Sequence, residues 1–381
     1  MKLLSFLNIS NIDDINSDSG FIFNRIILNE FTKHGHVVAA VLPVQLNTKK
    51  LDLNYKIYYA NLGSSKYEVR FNFNWNQMLS IIADFSPDYI LVNQAELTAA
   101  FRALLISNRV TNIQIITYCH YPALYAAKPE IRLDDSLNDN NLCCSIVTDI
   151  LQAVNIADYI FIQSAFAKEL LVNAAQKFHI TLNKEIYLLP PPYDPFLYTN
   201  TQSLGNFIIY NHRLYENYGT AQILELAKQN VDKQFLISNP MAHRSAERSS
   251  ADPKPEQYAS QLAACSNVVV VDGGSNRVAY KNYLMHGKVG IAAFRPSCVW
   301  SMSAIDCIGM NIPVISPDFA AYREFIPAIL RFNSIQDEVV LLEKLLSDNS
   351  FFDYCLLESR KILFKLSPSK AYNTICKTIT T

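Results

Sequence analysis

Short, continuously apolar runs alternate with helical stretches along this chain, and the alternation starts twice. LLSFLNI (3–9) precedes a helical FIFNRIILNEFTKHG with apolar residues at 21, 22, 26, 27 and 31. VVAAVLP (37–43), IYYANL (57–62), DYILVN (88–93), IQIITYC (113–119), YIFIQS (159–164) and IYLLPP (186–191) follow. A turn-rich PPYDPFLYTNTQSLG (191–205) then interrupts the pattern. It resumes with FIIYN (207–211), QFLIS (234–238), VVVVD (268–272), VGIAAF (289–294), IPVIS (312–316) and ILRF (329–332). Helical stretches cover 335–348, 350–365 and 368–379. Runs this short and apolar, separated by helices, are parallel strands buried on both faces. The chain is therefore expected to be α/β, with two Rossmann-like domains whose parallel sheets face across a cleft. The expected bounds are 1–197, 206–365 and a terminal helix, 366–381, packing back on the first domain.

Composition narrows the partners. Half of the chain is hydrophobic, 18% is charged and the net charge is −1, so a globular protein without a global basic surplus is expected. No apolar run reaches the ~18 residues of a membrane span. The eight cysteines form no C-x-x-C and lie mostly in apolar runs, as reduced thiols of a cytoplasmic protein do. Nothing in the sequence speaks to oligomeric state.

Ligands of such sheets bind beyond the carboxyl ends of the strands, so those positions are the ones that matter. Gly20 opens a helix after the first strand, where backbone can approach a ligand; a plain turn explains it equally well. His120 follows IQIITYC and can hydrogen-bond a ligand, although a lone histidine there is more often structural. Arg213 follows FIIYN, and Gly219–Thr220 open the next helix. An arginine beside free helix N-terminal amides suits a diphosphate; a surface arginine and an ordinary cap are the alternative. After VGIAAF, Ser297 or Ser301 can cap a helix that carries Asp306. A carboxylate there can accept from both hydroxyls of a ribose, or cap a neighbouring loop. Asp318 and Tyr322 follow the next strand.

The order of these pieces resembles the GT-B glycosyltransferases, in particular the retaining family 4 group, over about 1–365. HGHVVAAVLP (34–43), ADYIFIQSAFAKELL (157–171), LLPPPYDPFLY (188–198) and RPSCVWSMSAIDCIGMNIPV (295–314) are similar to that family's landmarks. YNHRLYE (210–216), YREFIP (322–327), TYCHYPALYAAKPE (117–130) and DGGSNRVAYKNYL (272–284) resemble the tRNA-queuosine mannosyltransferase branch. The resemblance implies retaining, metal-independent transfer of a sugar from a nucleotide-diphosphate sugar to a hydroxyl, with that nucleotide sugar as co-substrate and no cofactor. No Asp-x-Asp pair occurs that could bridge a metal to a diphosphate.

It also implies roles: His120 and Arg213 catalytic, and Gly20, Gly219, Thr220, Arg277, Lys281, Ser297, Asp306 and Tyr322 donor-binding, with Asp306 at the ribose. Two positions depart. The family's first glutamate falls on Cys298 and its diphosphate lysine on Tyr218, so Arg277, Lys281 or Arg295 is expected to supply the missing cation. The acceptor is a glycan or lipid-linked precursor, or a modified nucleoside in tRNA or DNA. For the latter, Arg244, Arg248 and Lys254 in MAHRSAERSSADPKPEQ (241–257) offer a contact, against the plainer reading of a solvated loop. The departures also admit an inactive nucleotide-sugar-binding protein.

Overall fold

The structure, a computed structural model, describes residues 1–381 apart from 8, 10–14, 16–17, 50, 52, 64, 66, 128–129, 200–204, 241, 243–248, 251, 274–275, 381 and the side chain of Ala127. It contains two compact units, Met1–Pro192 with Pro368–Thr381, and Tyr193–Ser367.

In unit 1, β1 (Lys2–Phe6), β2 (Val37–Pro43), β3 (Lys56–Ala60), β4 (Tyr89–Val92), β5 (Gln114–Cys119), β8 (Tyr159–Ile162) and β9 (Ile186–Leu188) form one sheet. Its order is β3-β2-β1-β4-β5-β8-β9 and every pairing is parallel. The helices are α1 (Ser19–Lys33), α2 (Glu68–Phe71), α3 (Trp75–Phe85), α4 (Thr98–Ser107), α5 (Leu142–Ile156) and α6 (Ala165–Lys177). Apolar clusters cover the sheet: Phe23, Ile27 and Phe31 of α1 in one, Ile82 of α3 and Phe101 of α4 in the other. An antiparallel hairpin, β6 (Leu124–Ala127) and β7 (Glu130–Leu133), is an addition that the apolar pattern did not announce. Asp134, 3% exposed, fastens its base by accepting from Tyr121 at 2.7 Å and Tyr125 at 3.0 Å.

Unit 2 repeats the plan. β10 (Phe207–Tyr210), β11 (Phe235–Asn239), β12 (Val268–Asp272), β13 (Gly287–Ile291), β14 (Val314–Pro317) and β15 (Arg331–Phe332) run in the order β12-β11-β10-β13-β14-β15, again all parallel. The helices are α7 (Thr220–Gln229), α8 (Lys254–Ala263), α9 (Arg277–Leu284), α10 (Met302–Gly309), α11 (Tyr322–Phe325), α12 (Ile335–Ser347) and α13 (Asn349–Lys365). In both sheets the chain first winds one way and then the other. The topological switch point lies between β1 and β4 in unit 1 and between β10 and β13 in unit 2.

Tyr193–Thr199 belongs with unit 2 because its bonds go there. Thr199 N–H donates to Gly309 O at 3.0 Å, Asn311 donates back to Thr199 O at 2.7 Å, and Asp194 pairs with Arg277. The last helix, α14 (Pro368–Thr380), packs on α1 within unit 1. Tyr372 stacks on His34 at 4.0 Å and shares a 2.9 Å hydrogen bond with His36, while Ser369 donates to Glu30 at 2.7 Å. No helix among the described residues is long and apolar enough to cross a membrane.

Candidate functional site

Each unit carries polar groups at its own switch point. In unit 1 a pocket of about 140 Å³ lies beyond β1, β4 and β5, lined by Leu7, Asp18, Ser19, Gly20, Val69, Arg70, Asn93, Gln94, Ala95, Glu96, His120 and Tyr121. Gly20 and His120, a hundred positions apart, meet here: a Cβ on Gly20 would lie 3.5 Å from Leu7 and 4.0 Å from His120 Nε2. Asp18 caps α1 by accepting from Phe21 N–H at 2.8 Å. His120 Nε2 shares a 3.0 Å hydrogen bond with Ser19 Oγ, and its Nδ1 is buried without a partner among the described residues. Burial lowers the His120 pKa against the opposing charge of Asp18, so the ring is neutral at physiological pH.

Sequence reasoning missed the rest of this pocket. Glu96 is buried and accepts from Arg70 at 2.5 Å and from Gln94 at 2.6 Å. Asn93, 4% exposed, donates to Ser5 Oγ, Phe6 O and Asn24 Oδ1 at 3.1, 3.3 and 3.3 Å. Its Oδ1 has no partner among the described residues, an unmet acceptor that costs free energy unless a ligand or water supplies the donor. Asn93 follows a strand end and was detectable by that rule; Arg70, on α2, was not.

In unit 2 the loops after β10 and β13 pack on one another. Gly219, at φ +75°, caps α7, and a Cβ there would fall 2.4 Å from Cβ of Phe294. Phe294 N–H donates to Tyr218 O at 2.9 Å. The turn needs glycine both for its left-handed backbone and for this close approach. Among the described residues no acceptor takes the N–H groups of Thr220 and Ala221 in the first turn of α7. The Thr220 hydroxyl itself is used internally, donating to Tyr215 O at 2.7 Å. Arg213 is exposed and makes no ion pair with a described residue. Arg295 lies over the ring of Tyr218, 4.9 Å from its centroid, and donates to its phenolic oxygen at 3.2 Å. His212 is buried behind them and accepts from Ala293 N–H at 3.2 Å; burial first, then Arg295, push its pKa down to about 3.

The other expected residues go elsewhere. Ser301, not Ser297, caps α10 by accepting from Ala304 N–H at 3.2 Å; Ser297 is 6% exposed. Asp306 on α10 is 5% exposed, and its oxygens each lie 3.5 Å from the guanidinium of Arg277. Arg277 meanwhile grips Asp194 with two donors at 2.8 and 3.2 Å. Burial raises the Asp306 pKa, with Arg277 opposing. Arg277 is thus committed to two carboxylates, and Lys281 donates to Phe196 O at 2.7 Å. Of the three candidate cations, Arg295 is the one held beside the start of α7. Cys298 is 1% exposed. Tyr322 is fully buried and donates to Ala293 O at 2.5 Å, so it packs inward and offers a ligand nothing from that position. Arg244 and Arg248 lie outside the described residues, and Lys254 pairs with exposed Glu216. Among the described residues no group of three or more potential metal ligands gathers.

Two parallel-sheet Rossmann-like units in this order define a GT-B fold. Solved structures share it across the full chain. HepE of Anabaena, in complex with UDP and glucose, is 9% identical with a TM-score of 0.70, covering 100% of both chains. A glycosyltransferase of Rickettsia africae is 12% identical with a TM-score of 0.67, covering 99% of this chain and 97% of its own. An alpha-glucosyltransferase, in complex with UDP-glucose and DNA containing an abasic site, is 14% identical with a TM-score of 0.64 over 100% of both chains. No protein family profile matches the sequence, and no curated protein matches it.

Proposed function

We propose that this chain is a glycosyltransferase that moves a sugar from a nucleotide-diphosphate sugar to a hydroxyl acceptor. The observation that carries the proposal is the arrangement at the unit 2 switch point. Gly219 brings the start of α7 against Phe294, two first-turn N–H groups have no acceptor among the described residues, and Arg213 and Arg295 stand on the two loops that meet there. Helix N-terminal amides and guanidinium groups are what a diphosphate needs. The bond from C1 of the sugar to the phosphate oxygen breaks with its electrons going to the diphosphate. Charge grows on that group in the transition state, where fixed donors stabilise it most. The acceptor oxygen bonds to C1, and its proton passes to a departing phosphate oxygen. That course gives retention and uses no metal, in keeping with the sequence resemblance. In unit 1, His120 and Asn93 offer hydrogen bonds to hydroxyl groups of the substrates.

A second reading, a nucleotide-sugar-binding protein without transfer, draws on two observations: Cys298 stands where a glutamate is expected, and Asp306 is shared with Arg277. Incubation with UDP-, GDP- and ADP-sugars and measurement of released nucleoside diphosphate separates the two. Release from at least one donor supports transfer. Tight binding without release supports the second reading, and neither binding nor release refutes both. The neighbours solved with UDP make UDP-sugars the first to try.

A further inference from the structure

The loop between β3 and α3 lies on the carboxyl edge of the unit 1 sheet, the edge that carries the pocket. From Phe71, the last residue of α2, to Asn76, the second of α3, the chain reads FNFNWN, aromatic residues alternating with amides. Phe71 and Trp75 are each 43% exposed. Trp75 is nevertheless held in place. An aromatic chain runs to it from the core: Phe6 to Phe101 at 5.0 Å, Phe101 to Phe73 at 4.8 Å, Phe73 to Trp75 at 5.8 Å. Asn74 caps α3 immediately before it, accepting from Gln77 N–H at 3.1 Å. An indole presented this way loses little freedom when something stacks on it.

Charge decides what stacks. No Asp, Glu, Lys or Arg occurs from 71 to 83, and Arg70 is drawn into its ion pair with Glu96. A nucleic-acid strand needs cations along its phosphates as well as stacking platforms, and this segment supplies none. A lipid or apolar peptide would meet amides at every second position. A sugar ring has an apolar C–H face for an aromatic ring and hydroxyl edges for amides, which both donate and accept; Asn74 and Asn76 are exposed here, while Asn72 donates to Asn61 O at 3.2 Å. The segment begins one residue past Val69 and Arg70, which line the pocket. Inside that pocket Asn93 Oδ1 is the buried acceptor without a partner among the described residues.

We propose that Phe71 and Trp75 form a carbohydrate subsite flanking the unit 1 pocket and hold the acceptor, a saccharide, by a ring other than the one that reacts. Its role in transfer rests on the glycosyltransferase reading; its binding of sugar does not.

The test uses the full chain and an array of oligosaccharides of glucose, galactose, mannose and N-acetylhexosamines, with short single-stranded DNA and RNA as competitors. Binding is followed by isothermal titration calorimetry, with tryptophan fluorescence recorded alongside and UDP affinity measured in parallel. At least one oligosaccharide is expected to bind. Trp75→Ala should weaken it roughly tenfold and Trp75→Phe no more than about threefold, with UDP affinity unchanged in both. The fluorescence change should vanish in Trp75→Phe, because Trp300 is the other tryptophan of the chain. Saccharide affinity unaltered in Trp75→Ala overturns the proposal, as does binding of oligonucleotide in preference to every saccharide, or of no saccharide at all. Failure of the wild type to bind any nucleotide counts against the glycosyltransferase reading and leaves the saccharide result standing.

Discussion

Arg295 sits over the ring of Tyr218 at 4.9 Å and donates to its hydroxyl at 3.2 Å, so a tyrosine holds an arginine beside the start of α7. Where the family resemblance implies a lysine, this chain has the aromatic partner of a cation instead. Arg295→Ala should weaken nucleoside diphosphate binding by about 1.5–3 kcal/mol, the worth of a hydrogen bond to a charged group. Tyr218→Phe keeps the ring under the guanidinium and should cost only about 0.5–1.5 kcal/mol. Calorimetry that finds the two variants equal, or both like wild type, removes Arg295 from the cradle.

The Asp194–Arg277–Asp306 group predicts an asymmetry. Removing Arg277 leaves two buried carboxylates without their cation and should destabilise unit 2 by about 3–5 kcal/mol. Asp194, at 2.8 Å, should matter more to folding than Asp306, at 3.5 Å. Urea denaturation of Arg277→Ala, Asp194→Asn and Asp306→Asn should rank them in that order. A second substitution, Asp306→Ala, tests the ribose role. Wild type should bind a 2′,3′-dideoxy nucleotide more weakly than its parent, and Asp306→Ala should barely distinguish them. Equal discrimination would leave Asp306 as a structural partner of Arg277 alone.

His212 predicts loss of stability in acid. Its folded pKa of about 3 lies below the ordinary 6.5, so between these values the unfolded chain takes a proton that the folded chain refuses. Stability is therefore full above pH 6.5 and falls as pH drops below it, by up to about 1.4 kcal/mol per pH unit. A protonated ring also cannot accept from Ala293 N–H, two residues before Arg295 in the loop after β13. His212→Gln should flatten the fall of Tm between neutral and mildly acid pH; an unchanged slope means another group is responsible.

Glu338 on α12 predicts the opposite sign. It is 5% exposed, and burial raises its pKa from 4.5 to about 7. Between those values the folded chain keeps a proton that the unfolded chain has released, so this contribution declines as pH rises from 4.5 through 7. Glu338→Gln should raise Tm more at alkaline than at acid pH. A gain independent of pH would mean that the carboxyl is not the titrating group.

The sheets were legible because a strand buried on both faces leaves an unbroken apolar run, and the start of α7 because Gly219–Thr220 open the helical stretch that follows a strand. The unit 1 pocket was legible only in parts. Gly20 and His120 could each be marked as strand-end residues, but the pairing of β1, β4 and β5 that unites them is a long-range fact. Arg70 and Glu96 carry no local sign, since their meaning lies in each other. β6 and β7 were missed because LYAA is as apolar as a helix face. Tyr322 was read as a ligand group from its place after a strand. The chain turns at Ala320, at φ 51°, and the ring points inward to Ala293.

The central claim, that unit 2 cradles a diphosphate, is tested most directly by titrating wild type and Arg213→Ala with UDP, GDP and ADP, each against its own nucleoside. For one base the wild type should bind the diphosphate at least about tenfold more tightly than the nucleoside, and the substitution should remove most of that difference while leaving nucleoside affinity unchanged. Diphosphates bound no better than their nucleosides, or an Arg213→Ala variant that discriminates as the wild type does, would contradict it.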